Sequence, residues 1–176
     1  MDILDGAEYL RCTPIPADDG AGNHLPPEAV DALRGTDIAI RFAFGIVTGD
    51  ALTAPKHGML SFHHGDIRTY RGKPPGFWEF LYGEEKVGIT IQQLTEKLDG
   101  GNILLIEHVD IEQAGSWPAV RQRLVDASPP LLIRALERLA DNAFSSNSPD
   151  ELGPIYRAQE RGVKEYCIVI YRTLFK

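Results

Sequence analysis

The run Gly58-Met-Leu-Ser-Phe-His63-His-Gly-Asp-Ile-Arg-Thr-Tyr70-Arg-Gly-Lys-Pro-Pro-Gly76-Phe-Trp-Glu-Phe-Leu-Tyr-Gly83 decides how the chain is read. Residues 58–63 are apolar enough for a buried strand, and His63-His64-Gly65-Asp66 opens a polar loop closed by Tyr70 to Pro75. Residues 76–83 then predict a helix ended by Gly83. Strand, loop and helix in that order place polar side chains at the carboxyl end of a strand, where open α/β sheets bind their ligands.

Working outward, residues Met1 to Pro26 read as an irregular, turn-rich lead-in, and Pro27 opens a short helix that runs to Leu33 and stops at Gly35. Asp37 to Phe44 predicts a strand covered on both faces. Downstream, Val87–Leu94 and Asn102–Ile111 predict two strands pairing antiparallel across the loop Thr95–Gly101. Apolar residues recur at helical spacing from Trp117 to Ala140, with Pro129-Pro130 expected to stop or kink that helix. The tail 141–176 carries one β-prone run, Tyr166 to Tyr171. The expected organisation is a lead-in over 1–26, an α/β domain over 27–140 and a C-terminal extension with a possible strand. Neither a GxGxxG nor a P-loop occurs.

At 176 residues and 43% hydrophobic composition, the chain can bury a core without covalent staples. Its formal net charge of −7 argues against a nucleic-acid platform. Two cysteines, Cys12 and Cys167, lie outside any disulfide or zinc spacing. No apolar run approaches the length of a membrane span, and the start lacks the pattern of a secretory signal, so a cytoplasmic protein is expected.

His63 is a candidate proton-transfer group, with Asp99 in Leu98-Asp99-Gly100-Gly101 as the carboxylate that orients it. Two other readings stand beside this one. Asp99 could simply make an Asx turn before the glycines. Alternatively, His63, His64 and Asp66 could hold a metal ion in a hydrolase, which requires that the strand has ended before His64.

Four motifs in order resemble those of the folate-dependent formyltransferases. They are Ala43-Phe44-Gly45-Ile46-Val47, the stretch from His63 to Gly83, Val87-Gly88-Ile89-Thr90-Ile91, and Leu98-Asp99-Gly100-Gly101-Asn102-Ile103-Leu104. The resemblance covers about residues 27 to 111 and implies an open, mostly parallel twisted sheet of Rossmann type with flanking helices, lacking the usual first strand and loop. It implies transfer of a formyl group from 10-formyltetrahydrofolate, as co-substrate, to an amine. His63 and Asp99 take the places of the catalytic histidine and aspartate, and Ser61 stands where the family has asparagine. Phe44, Gly45, Ile46, Val47, Leu94 and Leu98 would wrap the pterin.

The loop after His63 is more polar than the family's, and Arg68, Tyr70 and Arg71 suit a phosphorylated acceptor such as an amino sugar nucleotide. Transfer RNA is not expected, because only about 36 residues follow Ala140 and the chain is acidic. No metal is expected. Hydrolysis of the folate, or a non-catalytic relic of the fold, are the alternatives. An exposed sheet edge would favour a homodimer or another partner chain.

Overall fold

The computed structural model describes residues 5–18, 20, 22–141 and 148–175. The chain forms two compact units, residues 1–59 and 60–176.

In the first unit, β1 (Ile15–Pro16) pairs antiparallel with β2 (Asn23–His24), and α1 (Pro27–Arg34) follows with its proline at the first helical position. β3 is shorter than the apolar run predicts, spanning only Ala39–Arg41. Ala43 adopts φ 51 and turns the chain out of extended geometry, while the Arg41 guanidinium donates to the carbonyls of Phe44 and Gly45. Ile40 and Phe42 remain exposed, so the cover expected on both faces is not found among the described residues.

β4 (Met59–His63) leads into the second unit. There the chain forms β5 (Arg71–Gly72), α2 (Phe77–Tyr82), β6 (Lys86–Gln93) and β7 (Asn102–Asp110), then α3 (Trp117–Ala140), β8 (Ile155–Tyr156) and α4 (Val163–Phe175). The α/β class, with an open sheet and flanking helices, is the one expected. The mostly parallel sheet that the resemblance implies is not found: β6 runs antiparallel to β7, as the sequence predicts, and antiparallel to β4 as well. A loop of eight residues between β6 and β7 is too short for the crossover that a parallel pair needs.

β6 is buried on both faces from Val87 to Gln92. Its alternation puts Val87, Ile89 and Ile91 on one face, and Gly88, Thr90 and Gln92 on the other. That second face receives the loop after β4. A Cβ on Gly88 would lie 2.5 Å from the Asp66 backbone nitrogen, and the Thr90 hydroxyl donates to the Gly65 carbonyl at 2.8 Å. Glycine at 88 therefore permits the approach that brings the loop onto the sheet.

α3 packs on β6 and β7 through a stripe that includes Val120, Leu124, Leu131 and Ala135. It passes through Pro129 and Pro130 as one helix rather than stopping there. Both prolines are exposed, on the side where water can serve the carbonyls that lose their N–H donors. The tail run Tyr166–Tyr171 lies inside α4 and not in a strand. Ile168 and Val169 pack against Phe77, Trp78 and Leu81, and this contact outweighs their β preference. The strand of the tail is β8, parallel to β5.

Candidate active site

β4 delivers Ser61 and His63 to one face by its two-residue period. Both are buried, 3% and 8% exposed. Asp99 comes from the loop between β6 and β7, where it adopts φ 44, a left-handed conformation that Asp tolerates better than most residues. The loop is closed behind it by Gln92, whose Oε1 accepts from the Gly101 nitrogen at 3.0 Å. A side chain on Gly101 would collide with the Gln93 carbonyl at 2.1 Å.

These elements bring Asp99 Oδ1 to 3.5 Å from His63 Nδ1. On the other side of the ring, Nε2 lies 3.0 Å from the Tyr70 carbonyl. A carboxylate and a carbonyl can only accept, so a ring protonated on both nitrogens satisfies both neighbours. Burial pushes the His63 pKa down. The hydrogen bond and charge of Asp99, then the Tyr70 carbonyl and the Glu79 charge, outweigh it and hold the pKa above the ordinary imidazole value. The second Asp99 oxygen, Oδ2, accepts from the Gly72 nitrogen at 3.2 Å. The Ser61 hydroxyl donates to the Phe62 carbonyl at 3.3 Å.

His64 faces elsewhere. Its Nε2 donates to Ser128 Oγ at 2.9 Å, and that hydroxyl donates in turn to the Leu124 carbonyl at 2.7 Å. Burial, with His63 and Arg121 nearby, lowers its pKa. Asp66 is gripped by Arg68 through two guanidinium bonds of 2.9 and 2.6 Å and lies 3.3 Å from His108. Burial pushes the Asp66 pKa up, but the bonds from Arg68 prevail and hold it below the usual carboxylate value. The three side chains of the metal alternative thus do not converge, and no group of three such ligands stands together among the described residues.

The residues expected at the acceptor side have internal partners. Arg68 holds Asp66, and the Tyr70 hydroxyl donates to Glu84 at 2.8 Å. Burial and Glu84 push the Tyr70 pKa up. Arg71 donates to the Gly153 carbonyl at 2.6 Å and to the Leu98 carbonyl at 3.4 Å. Leu94 is half-buried and Leu98 is 46% exposed, on the loop that carries Asp99. Phe44, Gly45, Ile46 and Val47 belong to the first unit, where Val47 is buried and the other three are exposed.

Sequence reasoning missed Glu79. It is buried, and desolvation pushes its pKa up to about 7 despite its own backbone N–H and the charge of His63. A lone acid inside Phe77-Trp78-Glu79-Phe80-Leu81 was the signal available.

The family profile described as Formyl transferase matches residues 24–136. This chain belongs to the formyl transferase family. It is 32% identical over 121 residues to the methionyl-tRNA formyltransferase of Bacillus licheniformis, an alignment covering 68% of this chain and 38% of that protein. The chain therefore spans about two-fifths of the curated relative's length. Among solved structures it is similar to HypX from Aquifex aeolicus in complex with tetrahydrofolic acid, with TM-score 0.64 and 16% identity over 82% of this chain and 27% of that one. It is also similar to the formyltransferase PseJ from Anoxybacillus kamchatkensis, in complex with UDP-4,6-dideoxy-4-formamido-L-AltNAc and tetrahydrofolate. There the TM-score is 0.58 and the identity 18%, over 69% of this chain and 64% of that one.

Proposed function

We propose that this protein transfers the formyl group of 10-formyltetrahydrofolate to the amine of a small phosphorylated acceptor, with an amino sugar nucleotide as the best fit. The observation that carries this reading is the buried His63–Asp99 pair at the end of β4, inside the region the family profile matches. The folate donor is supported by the solved formyltransferase-fold proteins that bind tetrahydrofolate, and the acceptor class by the sugar nucleotide bound to one of them.

In the proposed reaction the neutral amine attacks the formyl carbon and forms the new C–N bond, placing negative charge on the formyl oxygen. The imidazolium of His63 turns its Nε2–H from the Tyr70 carbonyl to that stronger acceptor. Asp99 holds the other ring nitrogen and takes the proton that the amine sheds, directly or through a water. As the bond from carbon to the folate N10 breaks, tetrahydrofolate leaves with a proton. The acceptor keeps the formyl group, and no metal takes part.

Ser61 makes a weaker second donor than asparagine, because its hydroxyl is short and bonded to the Phe62 carbonyl. That bond also favours a second reading, a folate-binding member of the family without turnover.

Release of tetrahydrofolate from 10-formyltetrahydrofolate, followed by absorbance with a panel of amino sugar nucleotides, tests the proposal. The expected result is amine-dependent release that His63→Ala abolishes and Ser61→Asn accelerates by about tenfold or more, the reverse of the loss that removing an oxyanion donor causes. No release by wild type or Ser61→Asn, with folate binding intact, would leave the second reading in place.

A further inference from the structure

Two contacts that hold the His63–Asp99 pair from outside come from one stretch of backbone, Tyr70 to Gly72. The Tyr70 carbonyl receives His63 Nε2, and the Gly72 nitrogen donates to Asp99 Oδ2. This stretch is half-buried and outside the β4–β6–β7 pairing; on its own side it is held at Tyr70, whose nitrogen donates to the Asp66 carbonyl at 2.7 Å and whose hydroxyl donates to Glu84 at 2.8 Å. At Arg71 and Gly72 the stretch is held by the chain from Ser148 to Tyr156, which lies beyond the region the family profile matches.

The Arg71 nitrogen donates to the Pro154 carbonyl at 3.2 Å, the Lys73 nitrogen to the Tyr156 carbonyl at 2.9 Å, and the Gly153 nitrogen to the Ile67 carbonyl at 3.0 Å. The Arg71 guanidinium adds a bond of 2.6 Å to the Gly153 carbonyl and reaches across to Leu98, the residue before Asp99. The Tyr156 ring stacks on Tyr70 with centroids 5.4 Å apart. At the other end, the Ser148 hydroxyl bonds Asn102 Oδ1 at 2.7 Å, and a Cβ on Gly100 would lie 3.0 Å from the Leu152 side chain. The segment therefore touches both loops of the site, the one after His63 and the one around Asp99.

We propose that Ser148–Tyr156 is a positioning strap for the His63–Asp99 pair, acting through Arg71 and the Tyr70–Gly72 backbone. That the pair is catalytic rests on the function proposed above; the positioning itself does not. Glycines permit the approach from both sides: a Cβ on Gly72 would lie 2.0 Å from the Tyr156 carbonyl oxygen, and one on Gly153 would meet the Thr69 backbone at 2.5 Å. Only glycine lets the strap lie down at these places. The strap touches no reacting atom. It sets where the imidazole's two acceptors stand.

The test is the pH titration of the His63 ring by NMR in the full chain, with the resonance assigned by its loss in His63→Gln. Wild type is compared with Gly153→Val, which lifts the strap by steric insertion, and with Arg71→Ala, which removes its side-chain bridge without adding atoms. Asp99→Asn marks the value without the carboxylate charge. Leu174→Ser, on the exposed end of α4, is the control expected to match wild type.

The groups acting on the ring are Asp99, Glu79, the Tyr70 carbonyl and the adjacent His64, so the midpoint reports on Asp99 if Glu79→Gln and His64→Gln are run alongside to remove the other titrating groups. The expected result is a fall of about one pH unit in both strap variants, toward the Asp99→Asn value, with near-ultraviolet circular dichroism retained. Folded strap variants whose midpoint matches wild type would overturn the proposal. Unfolding of both would overturn it too, by assigning the strap to general stability. The readout needs neither folate nor acceptor. A chain inactive on every amine would still report on the strap, and a strap without effect would leave the transfer reaction standing.

Discussion

The buried His63 ring stands between the Asp99 carboxylate and the Tyr70 carbonyl, and its charge depends on them and on the charge of Glu79. Because its folded pKa lies above the unfolded value of 6.5, the pair's contribution to stability is complete below that pH. It is lost as pH rises through the folded midpoint. Glu79 has the same sign over a lower window. Its pKa rises from 4.5 to about 7 on folding, so the native state becomes less stable as pH climbs through that interval and the buried acid must ionise. Glu79→Gln is expected to remove this slope, on the order of 3 kcal/mol between pH 4.5 and 7. Urea unfolding of wild type and variant at pH 4.5 and 7.5 checks it: their difference should change between the two pH values. Asp66 has the opposite sign, since its folded pKa is depressed by Arg68 and its contribution is lost only as pH falls through the acid range.

At the scale of elements, glycines set where the helices of the second unit sit. Gly76 precedes α2 at φ 63, and a Cβ there would stand 2.7 Å from a Val120 methyl of α3. Gly76→Ala combines left-handed backbone strain with a clash at the α2–α3 contact and is expected to cost about 2 kcal/mol or more in urea unfolding. The strand–loop–helix order around this glycine was legible in the sequence, because the apolar period, Gly83 and the turn residues are local signals. So was the antiparallel hairpin of β6 and β7. The continuity of α3 through Pro129-Pro130 was not legible, since it depends on which side of the helix faces water. The helical state of Tyr166–Tyr171 was not either, because Ile168 and Val169 take it from packing on Phe77, Trp78 and Leu81. At the site, His63 and Asp99 were readable as a strand end and a glycine-flanked loop, and the structure brings them to 3.5 Å. The partners of Arg68, Tyr70 and Arg71 were hidden because Asp66, Glu84 and Gly153 meet them only through turns and a distant tail segment.

At the scale of the molecule, a chain of the formyl transferase family carries the His63–Asp99 pair in its second unit, while spanning about two-fifths of a curated relative. The transfer reaction proposed above requires a folate site organised by Asp99. Both indoles are placed to report on it: Trp78 donates to the Lys73 carbonyl at 3.2 Å and Trp117 to the Pro75 carbonyl at 2.9 Å. That loop follows Gly72, which holds Asp99. The most direct measurement is therefore equilibrium binding of a stable formyl-folate analogue to the 176-residue chain, read by tryptophan fluorescence and repeated with Asp99→Ala. Saturable binding, weakened about tenfold or more in the variant by loss of a charged hydrogen-bonding group, is the expected result. Absence of binding by the folded wild-type chain, or equal binding by Asp99→Ala, would rule out such a site.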